Sequence, residues 1–134
     1  MVPEPVSPEH VARTSPLRLV RQGWDRYVFP CLCELALSTQ HVARQRRELL
    51  SQADGSILEI GFGTGLNLEH YPDSIRRLDV VEPSAGMHRR ARKRLAKTQI
   101  EVELHILPGE ELPFEDATFD CVVSTFTLCS IENV

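Results

Sequence analysis

The sequence has no apolar run as long as the roughly 18 residues that a membrane-spanning helix needs. Its first residues, MVPEPVSPEH, carry prolines and acids where a secretory signal has basic residues and then an apolar core. These absences predict a protein without stable membrane insertion and favour a cytoplasmic location. A net charge of only −4 argues against broad electrostatic binding to nucleic acid.

Cysteine is scarce, and the four cysteines (Cys31, Cys33, Cys121 and Cys129) lack the C-x-x-C spacing typical of zinc or redox sites. Cys31 and Cys33 would point to different faces of a helix. We therefore predict reduced, packing cysteines and no metal site. The balance of 42% hydrophobic and 25% charged residues is that of one soluble globular domain.

The N-terminal part of the chain divides into an arm, a helix and a strand. Prolines crowd the first sixteen residues and predict a mobile arm, which we bound at 1–23. From about Pro30 to Gln52 the apolar residues recur with helical spacing. Residues 56–60 (SILEI) have the short, continuously apolar character of a strand buried on both faces.

Beyond that strand, helices and strands alternate. We predict a short helix at 66–70, a helix from its N-cap Ser84 to Lys97, and strands at 78–82, 100–106 and 119–128. Strands separated by helices imply right-handed crossovers and a parallel sheet, so the predicted fold is a three-layer α/β sandwich. The basic residues of MHRRARKRLAK (87–97) fall opposite Met87, Ala91 and Leu95, which indicates a solvated helix face rather than a nucleic-acid site.

Three glycines, Gly61, Gly63 and Gly65, follow the first predicted strand. In a doubly wound sheet, ligands bind at this strand-to-helix turn, beyond the strand ends. Glycine permits positive φ and lets a ligand approach the backbone, so a side chain at Gly63 would occupy the ligand's space. The dinucleotide pattern G-x-G-x-x-G fails here because position 66 is leucine. A nicotinamide-dependent oxidoreductase is therefore a less favoured hypothesis.

Glu82 ends the second predicted strand, seventeen positions after Gly65. This is near the distance at which a second-strand carboxylate reaches ribose hydroxyls. Each feature alone has an ordinary explanation, since tight turns need glycine and loops carry acids. Together they favour a ligand whose vicinal diol meets the two carboxylate oxygens.

The segments LEIGFGTGLNLEHYP, VVEPSAGMHRRA and LPGEELPFEDATFDCVVSTFTLCSI, in this order, resemble the class I S-adenosylmethionine-dependent methyltransferases. The resemblance covers 24–134 and is closest to a type 11 branch that includes thiol-methylating enzymes. It implies a Rossmann-like fold, S-adenosyl-L-methionine as cofactor, and methyl transfer to a small-molecule nucleophile. A non-catalytic binding module derived from a methyltransferase is the alternative.

The same resemblance implies roles for particular residues. Glu59 matches the acid that steadies the glycine turn and faces the methionine ammonium group, and Glu82 matches the ribose-binding acid. The other matched cofactor-binding positions are Gly61, Phe62, Gly63, Thr64 and Gly65 along the methionine portion, Pro83 and Met87 beside the adenine, and Thr125 near the transferable methyl group.

Two parts of the matched site depart from the family or stay open. Pro108 stands where the family usually has an aspartate that contacts adenine, so we expect Gly109 to offer its N–H and Glu110 or Glu111 an acceptor. No catalytic residue is assigned. His70 and His105 are minor candidates for a general base.

The resemblance also implies further strands after the fourth, where this sequence has only IENV beyond its last motif. We expect a sheet truncated after the fourth strand, with 24–134 as the cofactor-binding part of a methyltransferase domain. The fourth strand would then be an edge, which is a setting for self-association.

Overall fold

The computed structural model describes residue 21 and residues 23–110, 112–128 and 131. The predicted arm at 1–23 lies almost entirely outside these described residues. The elements in chain order are a π-helical segment Trp24–Val28, α1 Phe29–Leu37, α2 Gln40–Leu50, β1 Ile57–Ile60, β2 Arg77–Val81, α3 Ala85–Leu95, β3 Glu101–His105 and β4 Cys121–Ser124.

The four strands form one parallel sheet in the order β3-β2-β1-β4, which confirms the α/β prediction. Strand β1 lies inside the sheet, where Ile57 is in register with Leu78 of β2 and Cys121 of β4. Parallel strands bring their carboxyl ends to the same edge of a sheet. The segments that follow β1, β2 and β4 therefore meet at one place.

One face of the sheet is covered by helices. Leu50 of α2 and Ala91 of α3 belong to the same buried cluster as Ile57 and Leu78. Side chains alternate between the faces of a strand, so Glu59 shares this buried face with Ile57. On the opposite face, Phe114 lies edge-on against His105, with ring centroids 5.0 Å apart.

Helix α3 matches its prediction. Ser84 is the N-cap, and its Oγ accepts a hydrogen bond from the Met87 N–H at 3.4 Å. Met87 and Ala91 are buried, and Leu95 packs against the core. Arg89, Arg92 and Lys93 are exposed, as the pattern indicated, whereas Arg90 and Arg94 are partly buried and pair with Glu34 of α1.

The single helix predicted from Pro30 to Gln52 is wrong, because the chain forms two helices there. Thr39 has extended backbone and caps α2, its Oγ1 accepting from the Val42 N–H at 3.4 Å. Ahead of α1, the Phe29 N–H donates to the Trp24 carbonyl, which is π-helical bonding. Pro30, the next residue, has no backbone N–H and so cannot donate an α-helical hydrogen bond to the preceding turn.

The short helix predicted at 66–70 is also wrong. The segment is a series of turns, in which Leu68 N–H donates to the Gly65 carbonyl at 3.2 Å and His70 N–H to the Asn67 carbonyl at 2.9 Å. The side chain of Asn67 in this segment and that of Tyr71 directly after it are held by the sheet instead, since both donate hydrogen bonds to Glu59.

Strand β4 stops at Ser124 rather than at the predicted 128. Phe126 has a positive φ of 58°, which ends extended backbone. The chain then lies against the glycine turn, where Thr127 Oγ1 donates to the Gly61 carbonyl at 3.4 Å. The predicted end of the strand is thus part of a polar segment beside the strand ends.

Candidate functional site

A pocket of about 290 Å³ lies at the carboxyl ends of β1, β2 and β4. Ten of the twelve cofactor-binding residues predicted from the sequence line it: Gly61, Phe62, Gly63, Thr64, Glu82, Pro83, Met87, Gly109, Glu110 and Thr125. The other two, Glu59 and Gly65, are buried beneath the turn and do not line the pocket. The strand ends thus gather most of the predicted site.

Gly63 leaves one part of the pocket wall without a side chain. Its φ is +58°, and a Cβ at this position would meet only the Gly61 carbonyl oxygen, at 3.8 Å. Gly61 is different, because a Cβ there would collide with the side chain of Thr127. Close packing therefore explains Gly61, whereas the absent side chain of Gly63 keeps open space in the pocket.

Glu82 reaches the glycine turn from the end of β2. Its Oε2 accepts from the Gly63 N–H at 2.9 Å, and its Oε1 accepts from the Ser84 N–H at 2.8 Å. An ionised carboxylate has about four lone-pair positions, so these two bonds leave acceptor capacity at the pocket wall. The carboxylate and the bare turn, which the sequence predicts to share a ligand, lie in direct contact.

Glu59 lies inside the protein and supports the turn. Its side chain is 1% exposed, with Tyr71 Oη donating to Oε2 at 2.7 Å and Asn67 Nδ2 to Oε1 at 2.9 Å. Burial raises the pKa of Glu59 to about 7, although both hydrogen bonds and the charge of Arg46 act to lower it. Glu59 therefore fixes the segment that follows Gly65.

Sequence reasoning missed Arg46, which lines the pocket from α2. It is 5% exposed, and its Nη1 donates to Asn67 Oδ1 and, at 3.1 Å, to Thr125 Oγ1. Its guanidinium also lies 5.2 Å from the centroid of the Phe126 ring. The helical spacing from Pro30 to Gln52 puts Arg46 on the polar side of the predicted helix, together with Arg44, Arg47 and Glu48. The available signal was the polar Asn67 just after the glycine turn, because an amide side chain needs a hydrogen-bond partner when it is buried.

Helix α1 forms another wall of the pocket. Phe29, Cys33 and Leu37 recur every four residues and line it together. Burial raises the pKa of the Cys33 thiol, and the charge of Glu82 raises it further. Cys31, Cys33 and Cys121 are free, and Cys129 lies outside the described residues.

Glu34 connects this wall to α3. Its two oxygens accept from Arg90 Nη1 and Arg94 Nη1, each at 2.8 Å. Burial raises the pKa of Glu34, but the hydrogen bonds from Arg94 and Arg90 outweigh it and hold that pKa below its usual value. Arg94 Nη1 also donates to the Thr64 carbonyl at 3.1 Å, which links α1, α3 and the glycine turn.

The two histidines considered as bases do not line the pocket. His105 Nε2 lies 2.8 Å from Asp79 Oδ1 on the neighbouring strand, where Arg77 pairs with both Asp79 and Glu103. Burial lowers the pKa of His70, which also lies outside the pocket lining. Asp79, Glu103 and His105 are close enough to bind a metal together, and Arg77 already forms ion pairs with both carboxylates.

Two further features complete the site. Pro108, Gly109 and Glu110 line the pocket beside the end of β3, whereas Glu111, the other predicted acceptor, lies outside the described residues. None of the helices in the described ranges combines the length and apolar content needed to cross a membrane.

Comparison with known proteins gives a consistent family. A sequence profile described as a methyltransferase domain matches residues 57–134. Thiol S-methyltransferase TMT1B of Homo sapiens is 30% identical over 107 residues, which are 72% of this chain and 43% of that protein. Phosphatidylethanolamine N-methyltransferase of Cereibacter sphaeroides is 38% identical over 74 residues, covering 54% of this chain and 36% of that protein.

Solved structures show the same similarity. A SAM-dependent methyltransferase of Thermotoga maritima, described as a possible histamine N-methyltransferase, superposes with a TM-score of 0.54 at 28% identity. The superposition covers 82% of this chain and 49% of that chain. This chain therefore spans less than half the length of the relatives it matches.

Proposed function

The chain belongs to the class I S-adenosylmethionine-dependent methyltransferases, and from this we propose that its pocket binds S-adenosyl-L-methionine for methyl transfer to a small-molecule nucleophile. We propose further that residues 24–134 are the cofactor-binding part of such a domain, since the chain spans less than half of its relatives. One observation carries the proposal: the Glu82 carboxylate and the bare Gly63 share the wall of one pocket.

The residues present fit this cofactor. A volume of about 290 Å³ is close to the lower end of small-molecule sites, about 300 to 1,000 Å³. The free acceptor positions of Glu82 suit a ribose diol, and Gly63 lets the methionine portion lie against the backbone. Pro83 and Met87 offer apolar contact to an adenine ring, with Met87 contributing a polarisable thioether.

The protein's part in catalysis is placement. When bound, the cofactor supplies a methyl group activated by a sulfonium. Orienting two reactants well lowers a barrier by about 7 to 11 kcal/mol at the limit. Thr125 and Phe126 line the pocket and would border the acceptor.

The described lining of the pocket contains no histidine, which favours an acceptor that becomes nucleophilic without a dedicated base. A thiol, with a pKa of about 8.5, forms its reactive thiolate near neutral pH. The similarity to thiol S-methyltransferase TMT1B supports the same choice. A thiol is therefore the first acceptor class to test.

Calorimetric titration with S-adenosylhomocysteine and with NAD tests the proposed cofactor. We expect S-adenosylhomocysteine to bind and NAD not to bind. Glu82→Gln keeps the size of the side chain but replaces one acceptor oxygen by a donor, so it should weaken binding by roughly tenfold or more. Glu101→Gln, an exposed change on β3, is the matched control. Equal affinity in the wild type and Glu82→Gln would contradict the assignment.

A turnover assay separates an enzyme from a non-catalytic binding module. The module is the second candidate, because this chain spans less than half the length of its relatives. The assay follows S-adenosylhomocysteine release from S-adenosylmethionine with 2-mercaptoethanol and with a panel of other thiols and amines. Release that depends on a nucleophile supports the enzyme. Cofactor binding without release on any of them supports the module.

A further inference from the structure

Arg46 has more hydrogen-bond donors than the described residues satisfy. A guanidinium carries five N–H donors. The structure accounts for two bonds, both from Nη1, to Asn67 and Thr125. The Nε atom is buried and finds no acceptor among the described residues. A buried side chain with unpaired donors is costly, so something outside the described contacts should satisfy it.

The charge of Arg46 also lacks a direct counterion in the described part of the chain. No carboxylate there lies within 4.0 Å of its guanidinium, the limit for an ion pair. Glu59 is the acid whose charge acts on Arg46, but it does not touch the guanidinium. Asn67 lies between the two side chains, accepting a hydrogen bond from Arg46 and donating one to Glu59. A buried charge normally has a paired opposite charge. The position facing the pocket is therefore suited to an anion.

The kind of anion follows from the shape and surroundings of the donor group. Nη1 is already bonded to Asn67 and Thr125, and Nε is sealed inside the wall, so Nη2 is the nitrogen left to meet a ligand. A charge-assisted bond from Nη2 suits a carboxylate oxygen. Thr125 hydroxyl and the Phe126 ring already fix the guanidinium in place, so little freedom is lost when a ligand binds. Arg46 and Glu82 line the same pocket, so one adenosyl ligand with a carboxylate could reach both.

We infer that Arg46 is the anchor for a ligand carboxylate in this pocket, an inference that rests on the proposed function and adds a recognition site to it. The carboxylate has two sources, the amino-acid end of the adenosyl cofactor or an acidic acceptor. Both would present the same chemistry to the guanidinium, and the two arms of the experiment separate them.

The first arm compares S-adenosylhomocysteine with 5′-deoxy-5′-methylthioadenosine, which has the adenosyl thioether but no amino-acid end. Calorimetry is done on the wild type, Arg46→Gln, Arg46→Lys and the control Arg47→Gln, an exposed change at the adjacent position. Glutamine removes the charge but is too short to replace Nη1 as donor to Asn67 and Thr125, so methylthioadenosine binding is the check that the pocket wall is kept. If the cofactor is the source, Arg46→Gln weakens S-adenosylhomocysteine roughly 10- to 100-fold and leaves methylthioadenosine unchanged. Lysine recovers part of the loss.

The second arm uses protein saturated with S-adenosylhomocysteine and compares 3-mercaptopropionate with 2-mercaptoethanol. If the acceptor is the source, the wild type prefers the carboxylate probe and Arg46→Gln loses that preference. The inference is overturned if Arg46→Gln changes neither comparison, or weakens both adenosyl ligands equally. Unchanged methylthioadenosine binding shows that the variant pocket is folded. If neither adenosyl ligand binds the wild type, the proposed function itself fails and this inference fails with it.

Discussion

Gly61 and Gly63 occupy the same turn with similar backbone, at φ +79° and +58°, but for different reasons. Alanine at either position adds left-handed strain of about 1 to 2 kcal/mol. At Gly61 it also meets Thr127, which adds an overpacking cost of about 1 to 3 kcal/mol. We therefore expect Gly61→Ala to lower the free energy of unfolding clearly more than Gly63→Ala, measured by urea denaturation.

For ligand affinity we expect the opposite order. Relative to the stability that each variant loses, Gly63→Ala should weaken ligand binding more than Gly61→Ala. A methyl group at Gly63 enters the open pocket, so Gly63→Ala should weaken S-adenosylhomocysteine while the protein stays folded. Gly55→Ala is a useful control, because Gly55 also has positive φ, at +73°, and does not line the pocket. Its added Cβ would collide with the side chain of Asp120, so it loses stability away from the ligand. Equal losses of affinity at Gly55 and Gly63 would contradict this account of the turn.

Glu59 makes stability depend on pH. Its pKa rises from the usual 4.5 to about 7 in the folded protein, so the folded state keeps a proton that the unfolded chain has released. The stability contributed by this proton is complete below about pH 4.5 and is lost as pH rises through about 7, which amounts to roughly 3 kcal/mol. Glu59→Gln should remove this fall.

The measurement is the difference between wild type and Glu59→Gln in urea denaturation at pH 5 and at pH 8. Other groups titrate in both proteins, and the difference cancels them. Glutamine can still accept from Asn67 and can donate to Tyr71 Oη, so the packing around it is kept. Parallel pH profiles for the two proteins would show that Glu59 has no raised pKa.

At the scale of the elements, α1 is held as a pocket wall by Glu34, which pairs with Arg90 and Arg94. Glu34→Gln keeps the shape but removes both charge pairs. Partly exposed pairs contribute about 0.2 to 1 kcal/mol each, so the loss of stability should be up to about 2 kcal/mol at low salt. Since salt screens such pairs, we expect the gap between the two proteins to narrow as sodium chloride rises.

Urea denaturation at low and high salt measures this gap. Glu48→Gln on α2 is the control, because its side chain is exposed and forms none of the ion pairs in the described residues. A salt-independent loss in Glu34→Gln would mean that packing, rather than charge, holds α1 against α3.

The elements also show what local sequence signals can predict. Strands β1 and β2 were predicted to within about one residue because continuous apolar runs such as SILEI identify buried strands in a parallel sheet. The turns at 66–70 were predicted as a helix, since their spacing is compatible with one. The side chains of Asn67 and Tyr71 instead hydrogen-bond to the side chain of Glu59 in β1, and periodicity does not report contacts of this kind.

The candidate site divides in the same way. The glycine turn and Glu82 were identified because their chemistry is local and their spacing is fixed by the fold. Arg46 was missed because its partner Thr125 is 79 residues away in the chain. Contacts of this length arise only when β4 has paired with β1, so no sequence window contains them.

At the scale of the whole molecule, β4 is an edge strand among the described residues, since it pairs only with β1. Edge strands present unpaired backbone groups, and apolar ones favour association. Val122 lies in the middle of β4 and is 59% exposed. We therefore expect this chain to self-associate in a concentration-dependent way, as the sequence had suggested for its fourth strand.

Val122→Lys tests whether β4 is the surface involved. A lysine on an exposed edge strand opposes pairing with a second copy through charge repulsion, and its side chain can remain in solvent, so the fold should be kept. Sedimentation velocity over a wide concentration range should show a shift towards monomer relative to the wild type. Leu49→Lys, which changes a similarly exposed apolar residue (51%) on α2, should leave the association unchanged. An equal effect of both changes would mean that apolar surface in general, rather than β4, drives the association. A wild type that stays monomeric at every concentration would contradict the predicted self-association.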